Sequence, residues 1–222
     1  MSIPEPSVDY YEDYWSHGRE IYSGGRQGYA ANFIRWMRAE LAGLPREGRV
    51  LEVGCGDASF TRHLAEHSAE VTALDLSAGQ IARNIHRFPD IRFIQHDAAT
   101  RLPFEDGQFD VVWCSEVLEH LFAPDFALRE MHRVLAPAGR LLVTVPHHGT
   151  FKNVLIALFK WDEHFAPTGP HLRFFTRNTL TKIAAAAGFA DIRVRTCGIG
   201  RPLRDRIVAT NLLLSARKKK AG

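Results

Sequence analysis

Apolar residues arrive in short bursts separated by stretches of helical period, and the rhythm repeats along most of the chain. RVLEV (Arg49–Val53), EVTALDL (Glu70–Leu76), IRFIQH (Ile91–His96), FDVVWC (Phe109–Cys114) and RLLVTV (Arg140–Val145) read as strands. Helical segments lie between them, at about Ser59–His67, from an N-cap at Ser77 to about Arg87, and at Pro124–Leu135 after the stretch Glu116–Phe122. Strands apolar on both faces, alternating with helices, predict an α/β fold with a mostly parallel sheet covered on both sides. Beyond the fifth strand the pattern predicts a helix over Phe151–Phe159. A second helix is capped by Thr176, runs to Ala187 and is stopped by Gly188. Two more strands, Asp191–Cys197 and Arg206–Ser215, suit a hairpin at the sheet edge.

Ahead of the first strand, YAANFIRWMRAELAGL from Tyr29 places Phe33, Ile34, Met37 and Leu41 on one helical face and ends at Gly43 and Pro45. Residues 1–30 show no period. They crowd Tyr10, Tyr11, Tyr14 and Trp15 together and break at Ser23-Gly24-Gly25, which suits either a packed surface cluster or a lid over a ligand site. The expected organisation is an N-terminal helical or lid segment over 1–45 and a main domain over 46–222, with a cap insertion at about 147–175.

The first strand leads into the sharpest local signal, VLEVGCGDASF. Gly54 and Gly56 allow a tight turn and close approach of a ligand to the backbone, and Asp57 and Ser59 can satisfy the free N–H groups of a helix start. Glu52, an acid at the end of a buried strand, suits a ligand bearing hydroxyls or positive charge better than a pyrophosphate. The last position of the dinucleotide fingerprint is Ser59, so a nicotinamide-dependent oxidoreductase is set aside. The following strands end in acids as well: Asp75 before Leu76, where a carboxylate can accept from both hydroxyls of a ribose, and His96-Asp97-Ala98, where Asp97 can accept from an exocyclic amine. The fourth strand ends in Cys114-Ser115-Glu116 and the fifth in Val145-Pro146-His147-His148.

In VLEVGCGDASF, VTALDLS, HDAATRLPFEDGQFDVVWCSEVLEHL, LREMHRVLAPAGRLLVTVP and HLRFFTRNTLTKIAAAAGF the chain resembles class I S-adenosylmethionine-dependent methyltransferases of the ubiquinone- and menaquinone-biosynthesis type, the methyltransferase type 11/12 branch. The resemblance covers most of residues 49–189. It implies a Rossmann-like, doubly wound seven-stranded sheet whose last strand is antiparallel, and S-adenosyl-L-methionine as cofactor. It places Glu52, Gly54 and Gly56 at the methionine part, Asp75 and Leu76 at the ribose, Asp97 with Ala98 at adenine, and Ser115 beside the methionine moiety. The family's third glycine is Ala58 here. The resemblance fades before residue 30 and across 150–170.

A small organic acceptor methylated at oxygen is expected, with His147 and His148 at the rim as the favoured general bases; His120, His164 and His171 are further candidates. Glu116, Glu119 and His120, at helical spacings i, i+3 and i+4, raise a metal site, and the pattern resembles the metal-binding segment of small-RNA 3′-end methyltransferases and some ubiquinone O-methyltransferases. The metal-free reading is preferred, because Glu116 directly follows Ser115.

Composition narrows the alternatives. Apolar residues make up 45% and charged residues 24%, as in ordinary globular chains. The net charge of +3 lies largely in Arg217-Lys218-Lys219-Lys220, read as a solvated end, so no nucleic-acid partner is expected. An RNA methyltransferase and a non-catalytic cofactor-binding subunit are the alternatives. No membrane span or signal peptide is read, and Cys55, Cys114 and Cys197 form no C-x-x-C pair. A cytoplasmic monomer or homodimer is expected.

Overall fold

The computed structural model describes residues 6–16, 28–45, 47–68, 70–165, 170–198 and 209–219. Its elements follow the order α1 (Pro6–Ser16), α2 (Gly28–Leu41), β1 (Arg49–Val53), α3 (Thr61–Ala65), β2 (Glu70–Asp75), α4 (Ala78–Arg87), β3 (Arg92–Gln95) and β4 (Phe109–Ser115). A 3₁₀ turn, Leu118–His120, then precedes α5 (Pro124–Val134), β5 (Leu135–Pro146), α6 (Thr150–Phe159), α7 (Trp161–His164), α8 (Arg177–Ala186), β6 (Phe189–Cys197) and β7 (Asn211–Lys218).

The strands form one seven-stranded sheet, ordered β3-β2-β1-β4-β5-β7-β6. β1 to β5 pair in parallel, and β7 runs antiparallel between β5 and β6, the arrangement expected from the sequence. The order reverses at β1, so the ends of β1 and β4 face the crevice where ligands of open α/β sheets bind. Strand bounds agree closely for β1 and β2. β5 begins five residues earlier than read, at Leu135, and β7 starts at Asn211; the expected start of that strand, Arg206, lies outside the described residues, as does the break at 23–25.

Strand alternation sorts side chains into two layers. Leu51, Val53, Val112 and Cys114 pack under α5 and α8 with Leu128, Met131, Leu180 and Ala184. Val50, Val111, Trp113 and Leu142 face the other way, against Phe33, Trp36 and Met37 of α2 and Phe60 and Leu64 around α3. The two helices of residues 1–45 therefore do different things. α2 builds the core, whereas α1 lies along α4: Glu12 accepts from the Ser77 hydroxyl at 2.9 Å, and Arg83 donates to the Trp15 carbonyl at 3.1 Å. The three cysteines are buried and not joined in a disulfide. Among the described residues no helix is long and apolar enough to cross a membrane.

Phe33 is fully buried against Phe60. Replacing it with alanine should cost about 3–5 kcal/mol, read from urea unfolding, in one cooperative transition. A second transition would mean that α2 folds apart from the sheet.

Candidate functional site

At the carboxyl ends of the parallel strands lies a cavity of about 650 Å³. Its inner wall is the glycine turn after β1. Gly54 and Gly56 have φ of +76° and +48°, and the turn is tied to β2 by Gly54 and Cys55 N–H groups that both donate to the Leu74 carbonyl, at 2.8 and 2.9 Å. A Cβ on Gly54 would collide with Val117 Cγ2, and one on Gly56 would stand 2.7 Å from Trp15 Cζ2. Glycine is thus required twice over, by conformation and by space. Ala58, where the resemblance expects a third glycine, keeps the left-handed backbone at φ +60° and is fully buried.

Asp75, at the tip of β2, organises this wall. Its carboxylate accepts from Gly56 N–H at 2.8 Å and Ser77 N–H at 3.0 Å, and Ser77 in turn caps α4. Burial raises its pKa, with those backbone bonds opposing. Asn84 fixes the same turn by donating to the Gly56 carbonyl at 2.8 Å. Farther along, Leu76, Asp97 and Ala98 line the cavity, and Asp97 Oδ1 accepts from Ala99 N–H at 2.8 Å. Ser115 completes the floor, its hydroxyl 2.8 Å from that of Thr144.

Of the residues expected to hold the cofactor, Gly54, Gly56, Asp75, Leu76, Asp97, Ala98 and Ser115 all line this one cavity. Glu52 stands behind the wall, 1% exposed, where it accepts from the Thr61 hydroxyl. Strand alternation puts it on the α3 side with Val50. Burial pushes its pKa up to about 8.

His147 and His148 do not line the cavity. Their N–H groups are held between the Thr210 and Phe175 carbonyls, at 2.7 and 2.8 Å, and it is Pro146 that reaches the cavity. His147 Nδ1 lies 3.3 Å from the Ala209 carbonyl; His148 is 3% exposed among Asn153, His164 and Phe174, and burial lowers its pKa to about 4.

The single helical face expected for Glu116, Glu119 and His120 does not form. Glu116 adopts φ +55° directly after β4, and only the three-residue 3₁₀ turn follows. Its carboxylate is drawn back to accept from Thr144 Oγ1 at 2.8 Å and Asn211 Nδ2 at 3.0 Å, with a pKa pushed up to about 7 by its recessed position. Glu116, Glu119 and His120 all line the cavity, where His171 and Leu172 join them.

Sequence reasoning left the roof undecided. Tyr10, Tyr11, Tyr14 and Trp15 of α1 line the cavity, and the Tyr11 ring meets His120 edge-on at 5.9 Å. Of the expected cap insertion, Pro170, His171 and Leu172 reach the cavity, whereas none of the described side chains of α6 or α7 does. Glu12, which also approaches Gly79 N–H at 3.3 Å, had no signal in the sequence beyond its acidity.

The donor set selects a ligand chemistry. Asp57, Asp75 and Asp97 present acceptors, and among the described residues no arginine or lysine lines the cavity, so these walls favour a ligand carrying hydroxyls, amines or positive charge. S-adenosylmethionine, with an amine, a sulfonium, two ribose hydroxyls and an adenine amine, fits such walls.

Known proteins agree. Residues 51–143 match the Methyltransferase domain family. The chain is 42% identical over 110 residues to a demethylmenaquinone methyltransferase of Beutenbergia cavernae, covering 49% of this chain and 45% of that one. It is 35% identical over 178 residues to a malonyl-[acyl-carrier protein] O-methyltransferase of Geobacter sulfurreducens, covering 75% and 66%. The chain thus spans between about half and two thirds of the length of these relatives. A Haloferax volcanii methyltransferase solved with the Trm112 methyltransferase activator superposes with a TM-score of 0.76 over 97% of this chain and 99% of that one, at 17% identity, which speaks to the fold.

Because the folded protein holds Glu52 neutral well above its ordinary value near 4.5, its contribution to stability is full at acid pH and is lost as pH rises toward about 8. In ligand-free protein, Glu52→Gln should gain on the wild type between pH 5 and 8, by up to about 1.4 kcal/mol per pH unit in urea melts. A gap that does not change with pH would show that Glu52 is ionised in the fold.

Proposed function

We propose that the chain is a class I S-adenosylmethionine-dependent methyltransferase that methylates a small organic acceptor at oxygen. The observation that carries this reading is the convergence of Gly54, Gly56, Asp75, Asp97 and Ser115 on one cavity that Glu119, His120, His171 and Leu172 also line. The cofactor, when bound, supplies a methyl group already activated by the adjoining sulfonium charge.

The chain's own part is binding, orientation and exclusion of water. Asp75, with an acceptor lone pair to spare on each oxygen, suits the ribose hydroxyls; Asp97 and the Ala98 backbone suit adenine. Gly54 and Gly56 let the methionine part lie against bare backbone, and Glu52 behind them fixes Thr61 at the turn's exit. Holding two reactants in line is the main source of acceleration open to such a site. The aromatic roof of α1 and the walls Leu121, Phe122 and Leu172 favour an acceptor with an apolar, planar body. The polarity of the acceptor end resides in Glu119, His120 and His171. Relatives named for demethylmenaquinone and for O-methylation of a malonyl-[acyl-carrier protein] support a carbon-rich acceptor, and the second of them supports oxygen as the methylated atom. His147 and His148 would act on it only through a rearrangement of the strand end that now holds them.

S-adenosylhomocysteine should bind with micromolar affinity by calorimetry. Asp75→Asn should weaken it by about 1.5–3 kcal/mol, the loss expected when a charged acceptor goes. Unchanged affinity would remove Asp75 from the site, and no binding by the wild type would overturn the reading.

A further inference from the structure

We propose that Glu119, His120 and His171 bind one divalent transition-metal ion of the zinc, cobalt or manganese kind at the acceptor end of the cavity. The expectation from the sequence, that no metal is held, came from a trio including Glu116. That residue also lines the cavity, but its carboxylate is bonded to Thr144 and Asn211, and His171 completes the trio in its place.

Four features carry the proposal. One ligand atom from each of the three residues lies within 4.8 Å of the others. Glu119 is 1% exposed, and neither of its carboxylate oxygens accepts a hydrogen bond of ordinary geometry among the described residues. Beyond its own backbone N–H, the groups it interacts with include His120 Nε2, 3.8 Å from Oε1, and the like-charged carboxyl of Glu116. A buried carboxyl left so carries a desolvation penalty with no hydrogen bond to offset it, and a bound cation removes that penalty.

The third feature is the tautomer of His120. Its Nδ1 is 3.0 Å from the Pro170 carbonyl, which can only accept, so Nδ1 carries the proton and Nε2 presents a lone pair toward Glu119. An outer hydrogen bond of this kind is how metal-binding histidines are commonly oriented. The fourth is rigidity. The chain segment bearing His171 is pinned to the 3₁₀ turn by Leu172 and Arg173 N–H groups, which donate to the Glu119 carbonyl at 2.8 and 3.0 Å. Two segments 50 residues apart are therefore tied together on both sides of the cluster.

Two imidazoles and one carboxylate suit a borderline cation better than magnesium or calcium, which prefer all-oxygen sites. In a tetrahedral site of that set, ligand atoms are about 3.4 Å apart, so modest side-chain rotation closes the cluster on an ion. Three protein ligands leave one position open, and it faces the cavity. An oxygen of the acceptor fits there, so the site would select acceptors with an ionisable hydroxyl. That role rests on the methyl-transfer reading above; the binding of the ion does not.

The test uses the untagged full chain, stripped with chelator and desalted. Titration with cobalt(II) should give visible absorption bands saturating at one ion per chain, and zinc should abolish them by competition. Glu119→Gln, His120→Ala and His171→Asn should each weaken cobalt binding by at least 10-fold, while His86→Ala, on the exposed face of α4, should leave it unchanged. His171 is exposed, so His171→Asn tests the site without threatening the fold. Absence of stoichiometric binding by the folded wild type, or binding indifferent to His171→Asn, would overturn the proposal. Calorimetry with S-adenosylhomocysteine on the stripped protein separates the two readings. Cofactor binding without metal binding removes only the ion site, and metal binding without cofactor binding removes only the methyltransferase.

Discussion

The site depends on a buried carboxylate at the end of the second strand. Asp75 gathers the N–H of Gly56 from one turn and that of Ser77 from the next, so it fixes the glycine wall and the start of α4 together. An acid so placed costs desolvation, and the two backbone bonds return part of it. The same geometry explains why the cavity has acceptor walls: a carboxylate that spends one lone pair per oxygen on the backbone keeps the others for a ligand's hydroxyls.

Closure of the wall comes from the opposite direction. Trp15 lies where a Cβ of Gly56 would be, and Val117 where a Cβ of Gly54 would be. α1 is held by Glu12 at the N-terminus of α4, where the helix dipole favours an acid, so the roof and the glycine turn share α4 as a common support. An element that looks peripheral in sequence thus bears on the shape of the pocket.

What the sequence made legible follows period and backbone chemistry. β1, β2 and the Ser77 and Thr176 caps could be read because a buried strand or a capped helix needs particular residue types in sequence-local order. Seven of the eight residues expected at the cofactor line the cavity for the same reason: they sit at strand ends, and strand ends of a parallel sheet share one edge. Glu52 departs because alternation, not position along the strand, decides which face a side chain takes. The helical face read for Glu116, Glu119 and His120 failed where one residue, Glu116, entered the left-handed region and broke the period.

The acceptor end was illegible for a further reason. His171 comes beside Glu119 through bonds from two backbone N–H groups to one carbonyl, and backbone groups leave no mark in the sequence. His147 and His148 show the converse: their position after β5 was read correctly, yet backbone bonds on either side turn them from the cavity. Where a site is made by consecutive strand ends, residue type and spacing suffice to find it. Where it is made by a distant loop folding back, only the contacts reveal it. The wall of glycines and strand-end acids in this cavity is of the first kind, and the cluster of Glu119, His120 and His171 is of the second.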